Sequence, residues 1–228
     1  MCGRYTLRRT AEEVADAFDA PPLDELEWSG PRYNIAPTQD ALFVRSAEEE
    51  GRQLADGRWG LVPFWVDEPD DFPTLINARA ESAPDKPSFR DAFRKRRCLV
   101  PADGFYEWQA RNGGPKQPFH IRLEDDRPFA FAGLWERWGE SDEESYFRSY
   151  TILTTDASDL VATVHDRQPA FLLPGDYDRW LDPESEKEEL QAMLAPVEPE
   201  GLELHPIGRR VNDPSNDDPS VLEATGEG

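Results

Sequence analysis

Between Cys98 and Thr155 the chain offers five β-type runs in succession, separated by turn residues and by no helical pattern. They are Cys98 to Pro101, Phe105 to Gln109, Phe119 to Leu123, Phe129 to Trp138 and Tyr146 to Thr155, rich in aromatic and β-branched residues. Asn112-Gly113-Gly114-Pro115 reads as a hairpin connection between the second and third. Ala41 to Arg45, Leu54 to Leu61 and Leu202 to Ile207 read as further strands. Helices are short and scattered. Thr10 followed by Glu13 forms a capping box for one ending at Phe18. Pro87 to Arg96 is another, with Phe89 and Phe93 four apart on one face. Ser158 to Val164, Tyr177 to Leu181 and Glu184 to Leu194 complete the set. No regular βαβ alternation occurs. The pattern predicts an α+β fold: a single domain over residues 1–228, an antiparallel barrel-like sheet flanked by short helices, and a polar, loop-like tail from about residue 212.

A domain of 228 residues buries roughly 70% of its unfolded surface, so no metal or disulfide is needed to hold a core. The two cysteines, Cys2 and Cys98, form no CxxC or Cys/His cluster, so neither metal nor cofactor is expected. No secretory h-region and no apolar stretch near the ~20 residues of a membrane span is visible. A reducing, cytoplasmic setting follows as the expectation.

The formal charge of −22 restricts partners more sharply. Basic residues are 21 Arg against 4 Lys, and acidic runs occupy Glu48 to Glu50, Asp67 to Asp71 and Ser141 to Glu144. Such a surface suits concentrated salt, where a Debye length of about 3 Å screens self-repulsion. The net field repels phosphate. Two basic islands run against it: Cys2 to Thr10 holds Arg4, Arg8 and Arg9 with no acid, and Arg90 to Arg97 holds five cations against Asp91.

The chemistry begins at Met1-Cys2-Gly3. Removal of the initiator Met leaves Cys2 as a 1,2-aminothiol, which no internal residue can be. Its α-amine, with a pKa of about 7.7–8.0, is partly neutral at neutral pH and can attack an aldehyde. The thiol can then close on the imine carbon to give a five-membered thiazolidine, an intramolecular step with high effective molarity. Gly3 would let a substrate backbone approach closely.

Other candidates are ambiguous one at a time. In Asn77-Ala78-Arg79-Ala80-Glu81 an extended backbone places Asn77, Arg79 and Glu81 on one face, which fits a phosphate grip as well as an exposed strand edge. Glu107 sits between Tyr106 and Trp108, where apolar surroundings raise a carboxyl pKa toward acid–base use. His165 has Asp166 as a plausible orienting partner, whereas His120, His205 and Cys98 look structural. Trp59 to Trp65 mixes aromatics with turn residues, suiting either base stacking or core packing.

In order, these segments are Cys2-Gly3-Arg4-Tyr5, Arg32 to Thr38, Trp59 to Trp65, Asn77 to Glu81, Arg97 to Trp108, Gln117-Pro118-Phe119 and His165-Asp166-Arg167. Together they resemble the SRAP family, the SOS response-associated peptidases or abasic-site processing proteins, over nearly the whole chain. The resemblance implies capture of abasic sites in single-stranded DNA, near replication forks and so on nucleoid DNA, through a thiazolidine on the N-terminal Cys. It implies that Cys2 supplies amine and thiol, that Asn77 positions it, and that Glu107 is the acid–base carboxylate, assisting Met1 release. It implies that His165 protonates the sugar ring oxygen. Arg4, Arg79 and Arg167 match phosphate-binding positions, Trp65 matches the aromatic near the lesion, and Asn34 and Pro37 line the same cleft. A monomer is expected. Gln168 departs from the residue types usual after the family's His-Asp-Arg, which affects a neighbouring DNA contact.

Given the charge, the aldehyde reaction is expected to matter more than non-covalent affinity, which salt weakens. Two rivals remain open: an N-terminal-nucleophile thiol peptidase, which would turn over peptides in trans, and a non-covalent single-strand binder, which would tolerate Cys2→Ala.

Overall fold

The computed structural model describes residues 2–47, 51–139 and 146–224. Met1 and the acidic runs Glu48 to Glu50 and Ser141 to Glu144 lie outside them. Thirteen strands were found there: β1 (Tyr5–Leu7), β2 (Arg32–Ile35), β3 (Asp40–Ser46), β4 (Arg52–Trp59), β5 (Asn77–Arg79), β6 (Arg97–Ala102), β7 (Gly104–Arg111), β8 (Gly114–Leu123), β9 (Phe129–Trp138), β10 (Phe147–Asp156), β11 (Arg167–Pro169), β12 (Phe171–Leu172) and β13 (Leu202–Pro206). The helices are α1 (Ala11–Phe18), α2 (Arg90–Lys95), α3 (Asp159–Ala162), α4 (Tyr177–Leu181) and α5 (Lys187–Met193). The α+β class is as the sequence predicts. None of these helices is long and apolar enough to cross a membrane.

The strands form two sheets. One has the order β13-β8-β7-β1-β2 and is antiparallel throughout. In the other, β10, β4, β3, β6 and β9 close into a ring, because β10 pairs with both β4 and β9. The barrel is mixed rather than purely antiparallel. β10 runs parallel to β4 through Ser149↔Arg58 and Tyr150↔Trp59, and parallel to β5 through Ile152↔Asn77 and Thr154↔Arg79. Of the five central runs, β6, β9 and β10 are joined in the barrel while β7 and β8 pair with each other in the small sheet; β4 and β5 reach β10 across a long stretch of chain, and a crossover of that length permits parallel pairing. Periodicity within a run does not carry that information.

Aromatic side chains join the two sheets into one core. Tyr5 on β1 packs edge-on to Trp59 and Phe131, with ring centroids 5.2 and 6.5 Å apart, and Phe105 on β7 meets Phe131 at 5.8 Å and Phe171 at 5.9 Å. The hydroxyls of Tyr5 and Tyr150 share a hydrogen bond of 2.7 Å inside this core. Such T-shaped pairs add about 0.5–1.5 kcal/mol each beyond their buried area. The N-terminal strand is thereby fixed to the barrel, and that contact positions residue 2.

The capping box is present: Thr10 Oγ1 accepts from Glu13 N–H and Glu13 Oε2 accepts from Thr10 N–H. The polar tail is not a loose loop. Short 3₁₀ turns at Arg209–Asn212 and Pro219–Leu222 dock it against β2 and β8. Asp217 accepts from the backbone N–H groups of Tyr33 and Asn34 and pairs with Arg32. Low hydropathy hid a segment held by hydrogen bonds rather than by apolar burial.

Candidate active site at the seam of the two sheets

Cys2 precedes β1 and is fully buried where the small sheet meets the barrel. Two strands flank it. On the sheet side, Tyr5↔Phe105 pairing and the Tyr106 N–H to Arg4 carbonyl bond of 3.0 Å continue the antiparallel register, which sets Gly3 opposite Glu107. On the barrel side, β5 is held beside β10, and Asn77 Nδ2 donates to the Cys2 carbonyl at 2.7 Å. Asn77 Oδ1 is buried and meets no hydrogen-bond donor among the described residues.

Glu107 is 2% exposed. Burial pushes its carboxyl above the usual carboxylate range, and a hydrogen bond from the Trp108 backbone works against that shift. Burial likewise pushes the Cys2 thiol up, and the Glu107 charge adds to it. The sulfur is therefore a neutral thiol at physiological pH, not a preformed thiolate.

His165 lies in the turn between α3 and β11. Ser158 caps α3, and the His165 N–H closes the turn on the Val161 carbonyl. Gln109, two residues beyond Glu107 on β7, donates its Nε2 to the Thr163 carbonyl at 2.7 Å and so ties the Glu107 strand to the His165 turn. His165 Nδ1 accepts from the Arg167 N–H at 3.0 Å and lies 3.0 Å from Asp166 Oδ1. A neutral ring accepting at Nδ1 carries its proton on Nε2, available for donation.

β10 also organises the cations. Its last residues pair with β5 on one edge and β11 on the other, Thr154↔Arg79 and Asp156↔Arg167. Arg79 is exposed. Arg167 is held by both Glu81 oxygens at 2.5 and 3.1 Å, by Asp156 at 2.7 Å and by the Thr154 carbonyl. Glu81 itself lies in the turn after β5, so the three-residue face read from an extended backbone is shorter than expected.

Trp65 is 48% exposed and Phe64 is 54% exposed. Their loop is anchored by Trp138 Nε1 donating to the Val66 carbonyl and by an edge contact of Trp65 with Phe72. Pro37 is half-buried in the turn between β2 and β3.

One expectation is corrected. Asn34 does not line a cleft: it is fully buried, its Nδ2 contacts the carbonyls of Val211, Asp213 and Asn216, and its Oδ1 accepts from Arg4. Every polar atom of its amide is used to fasten the tail. Arg4 shares that task, donating also to the Val211 and Asn212 carbonyls, although it still borders a cavity of about 480 Å³ with Gly3, Trp108 and Lys116. Gln168 is buried, accepting from Ser158 N–H and donating to the Val197 carbonyl, so its departure from the family pattern serves packing. Sequence reading missed Gln109 and Asp217, which carry no local signal because their partners lie far away along the chain.

The chain is similar to known proteins. The family model for SOS response associated peptidase (SRAP) matches residues 1–214. The chain is 36% identical to the abasic site processing protein YoqW of Bacillus subtilis over 226 residues, covering 98% of this chain and all of that one. It is 35% identical to the abasic site processing protein HMCES of Gallus gallus, covering 84% of this chain and 66% of that one. A crystal structure of a protein from Bacteroides thetaiotaomicron superposes with a TM-score of 0.84 at 26% identity, over 98% of this chain and all of the other. With a family match across nearly its whole length, and with Cys2, Asn77, Glu107 and His165 gathered at one seam, the chain belongs to the SRAP family.

Proposed function

We propose that this protein processes abasic sites in single-stranded DNA by bonding Cys2 to the lesion's aldehyde. The observation that carries the reading is the seat of Cys2: held by Asn77 through its carbonyl and charge-coupled to a buried Glu107, at the one place in the chain where amine and thiol can coexist. Its relatives YoqW and HMCES are abasic site processing proteins.

Removal of Met1 frees the α-amine. His165 donates its Nε2 proton to the sugar ring oxygen as the ring C–O bond breaks, and the anomeric hydroxyl releases its proton to water, leaving the aldehyde. The Cys2 amine adds to the carbonyl carbon, and Glu107, made a weaker acid by its burial, serves as the proton donor as water leaves to give the imine. The neutral Cys2 thiol then adds to the imine carbon. Its proton ends on nitrogen, and the ring closes with the net loss of one water. Asn77 Oδ1 accepts from the nitrogen during these steps, which gives that buried oxygen the partner it lacks among the described residues. Arg79 and Arg167 hold flanking phosphates, and Trp65 stacks beside the lesion.

The thiol peptidase reading fares less well. It asks the same buried thiol to attack an amide carbonyl, a much weaker electrophile than the imine that the Cys2 amine makes for it. Release of Met1, assisted by Glu107, is the one peptide cleavage the proposal includes. Incubation with single-stranded DNA carrying one abasic site, followed by a denaturing gel, tests the reading. The mature protein should give a shifted covalent band. Cys2→Ala, or a form that retains Met1, should give none. A band from Cys2→Ala, or peptide turnover in trans without a band, would contradict it.

A further inference from the structure

One basic feature is not used by the site: six cations against one carboxylate between Lys86 and Arg97, in a chain of charge −22. The structure arranges three of them in a row. The segment leaves β5 at Arg79 and turns at once into helical bonding, with Ala83 N–H on the Arg79 carbonyl, Lys86 N–H on the Ser82 carbonyl and Arg90 N–H on the Lys86 carbonyl. Arg90 and Arg94 lie one turn apart on α2, about 6 Å, Lys86 stands in the turn before it, joined to Arg90 by that last hydrogen bond, and all three are exposed. Arg96, at the end of α2, lies over the exposed Phe64 ring at 5.8 Å, next to Trp65.

Beside this row runs a cavity of about 890 Å³, between α2 and the segment that opens α5. Arg90, Arg94 and Lys95 form one wall. Arg97 lies deeper, its guanidinium committed to the carbonyls of Phe93, Arg94, Trp180 and Asp182. Glu184 and Glu186 face them, and Lys187 is paired with Asp85 at 2.9 Å. Arg90 lies 3.8 Å from Asp91, a loose contact.

We propose that the row Lys86–Arg90–Arg94 is a second nucleic-acid contact, a track for the phosphates of the single strand that flanks the lesion. The proposal rests on the reading of the site given above. Three observations favour DNA over an acidic protein segment. The row begins on the same stretch of chain as Arg79, so a strand leaving the site can continue along it. The repeat of about one helical turn is commensurate with successive phosphates of an extended strand. The row is made of charges without apolar anchors, and anchors are what a protein partner would need for affinity.

The test compares wild type with the variant Lys86→Gln/Arg90→Gln/Arg94→Gln, with Arg90→Lys/Arg94→Lys as the conservative control. Binding of intact single-stranded DNA is measured by fluorescence anisotropy across a salt series, using a long oligonucleotide and a short one. For the long oligonucleotide the glutamine variant should lower the slope of log affinity against log salt by about 2, three contacts at about 0.7 each. The lysine variant should keep the wild-type slope. Covalent yield with a short abasic oligonucleotide at saturation should be unchanged in all three proteins.

An unchanged slope in the glutamine variant, with its thermal melt intact, overturns the track. The same result together with lost binding of a polyglutamate peptide assigns the groove to an acidic protein segment, which also overturns it. If wild type forms no adduct with either oligonucleotide, the chemistry assigned to Cys2 fails, and the slope comparison still decides the track.

Discussion

Glu107→Gln should make the protein more stable and less active at once. The side chain is 2% exposed, and its carboxyl is raised because burial removes water from the charged form. A carboxyl whose folded pKa lies above its unfolded value stabilises the fold only while protonated. Its contribution is complete at pH below the unfolded pKa and is lost as pH rises through the folded pKa, leaving a buried charge that opposes folding. Glutamine keeps the shape and removes the charge. The gain should be about 1 kcal/mol, or roughly 2–4 °C in melting temperature for a domain of this size. The gain should grow from acid to neutral pH. Glutamine cannot exchange a proton, so adduct formation should slow by about 10²-fold, at the low end for acid–base catalysis. Thermal melts at a series of pH values, and single-turnover adduct formation on a denaturing gel, read both effects. A variant that is less stable at neutral pH, or that forms adduct at the wild-type rate, would refute the assignment.

Three further outcomes follow from the packing. Asn34→Ala leaves three backbone carbonyls and Arg4 short of a partner, so it should cost about 3 kcal/mol in denaturant unfolding and expose the tail from about residue 212 to protease. Phe131→Ala opens a hole among Tyr5, Phe105, Phe129 and Phe171 and should cost about 3–5 kcal/mol by the same measurement. Glu81→Gln loosens the carboxylate grip on Arg167 and should strengthen binding of intact single-stranded DNA, steepening its salt slope by up to about 0.7.

What could be read from sequence was what local chemistry writes. The capping box at Thr10, the hairpin at Asn112 to Pro115 and the central strands follow from a few adjacent residues each, and each stands in the structure. The parallel pairing of β10 with β4 and β5 was not legible, because side-chain alternation says which face is buried and nothing about the direction of a distant partner. Asn34 shows the same limit in the site. A polar residue beside a family motif invites a ligand-binding reading, yet its amide is consumed by a tail some 180 residues away. Cys2, Asn77, Glu107 and His165 could be named, but not joined, from sequence; Gln109 and the paired edges of β10 join them.

The central claim is that Cys2 gives both of its heteroatoms to one carbon. The direct measurement is to alkylate the denatured adduct with abasic-site DNA, digest it, and read the N-terminal peptide by mass spectrometry. The account predicts a peptide beginning at Cys2, joined to the sugar with loss of one water, its sulfur closed to alkylation. A linked peptide that still begins with Met1, or one whose Cys2 sulfur is alkylated while the DNA remains attached, would contradict it.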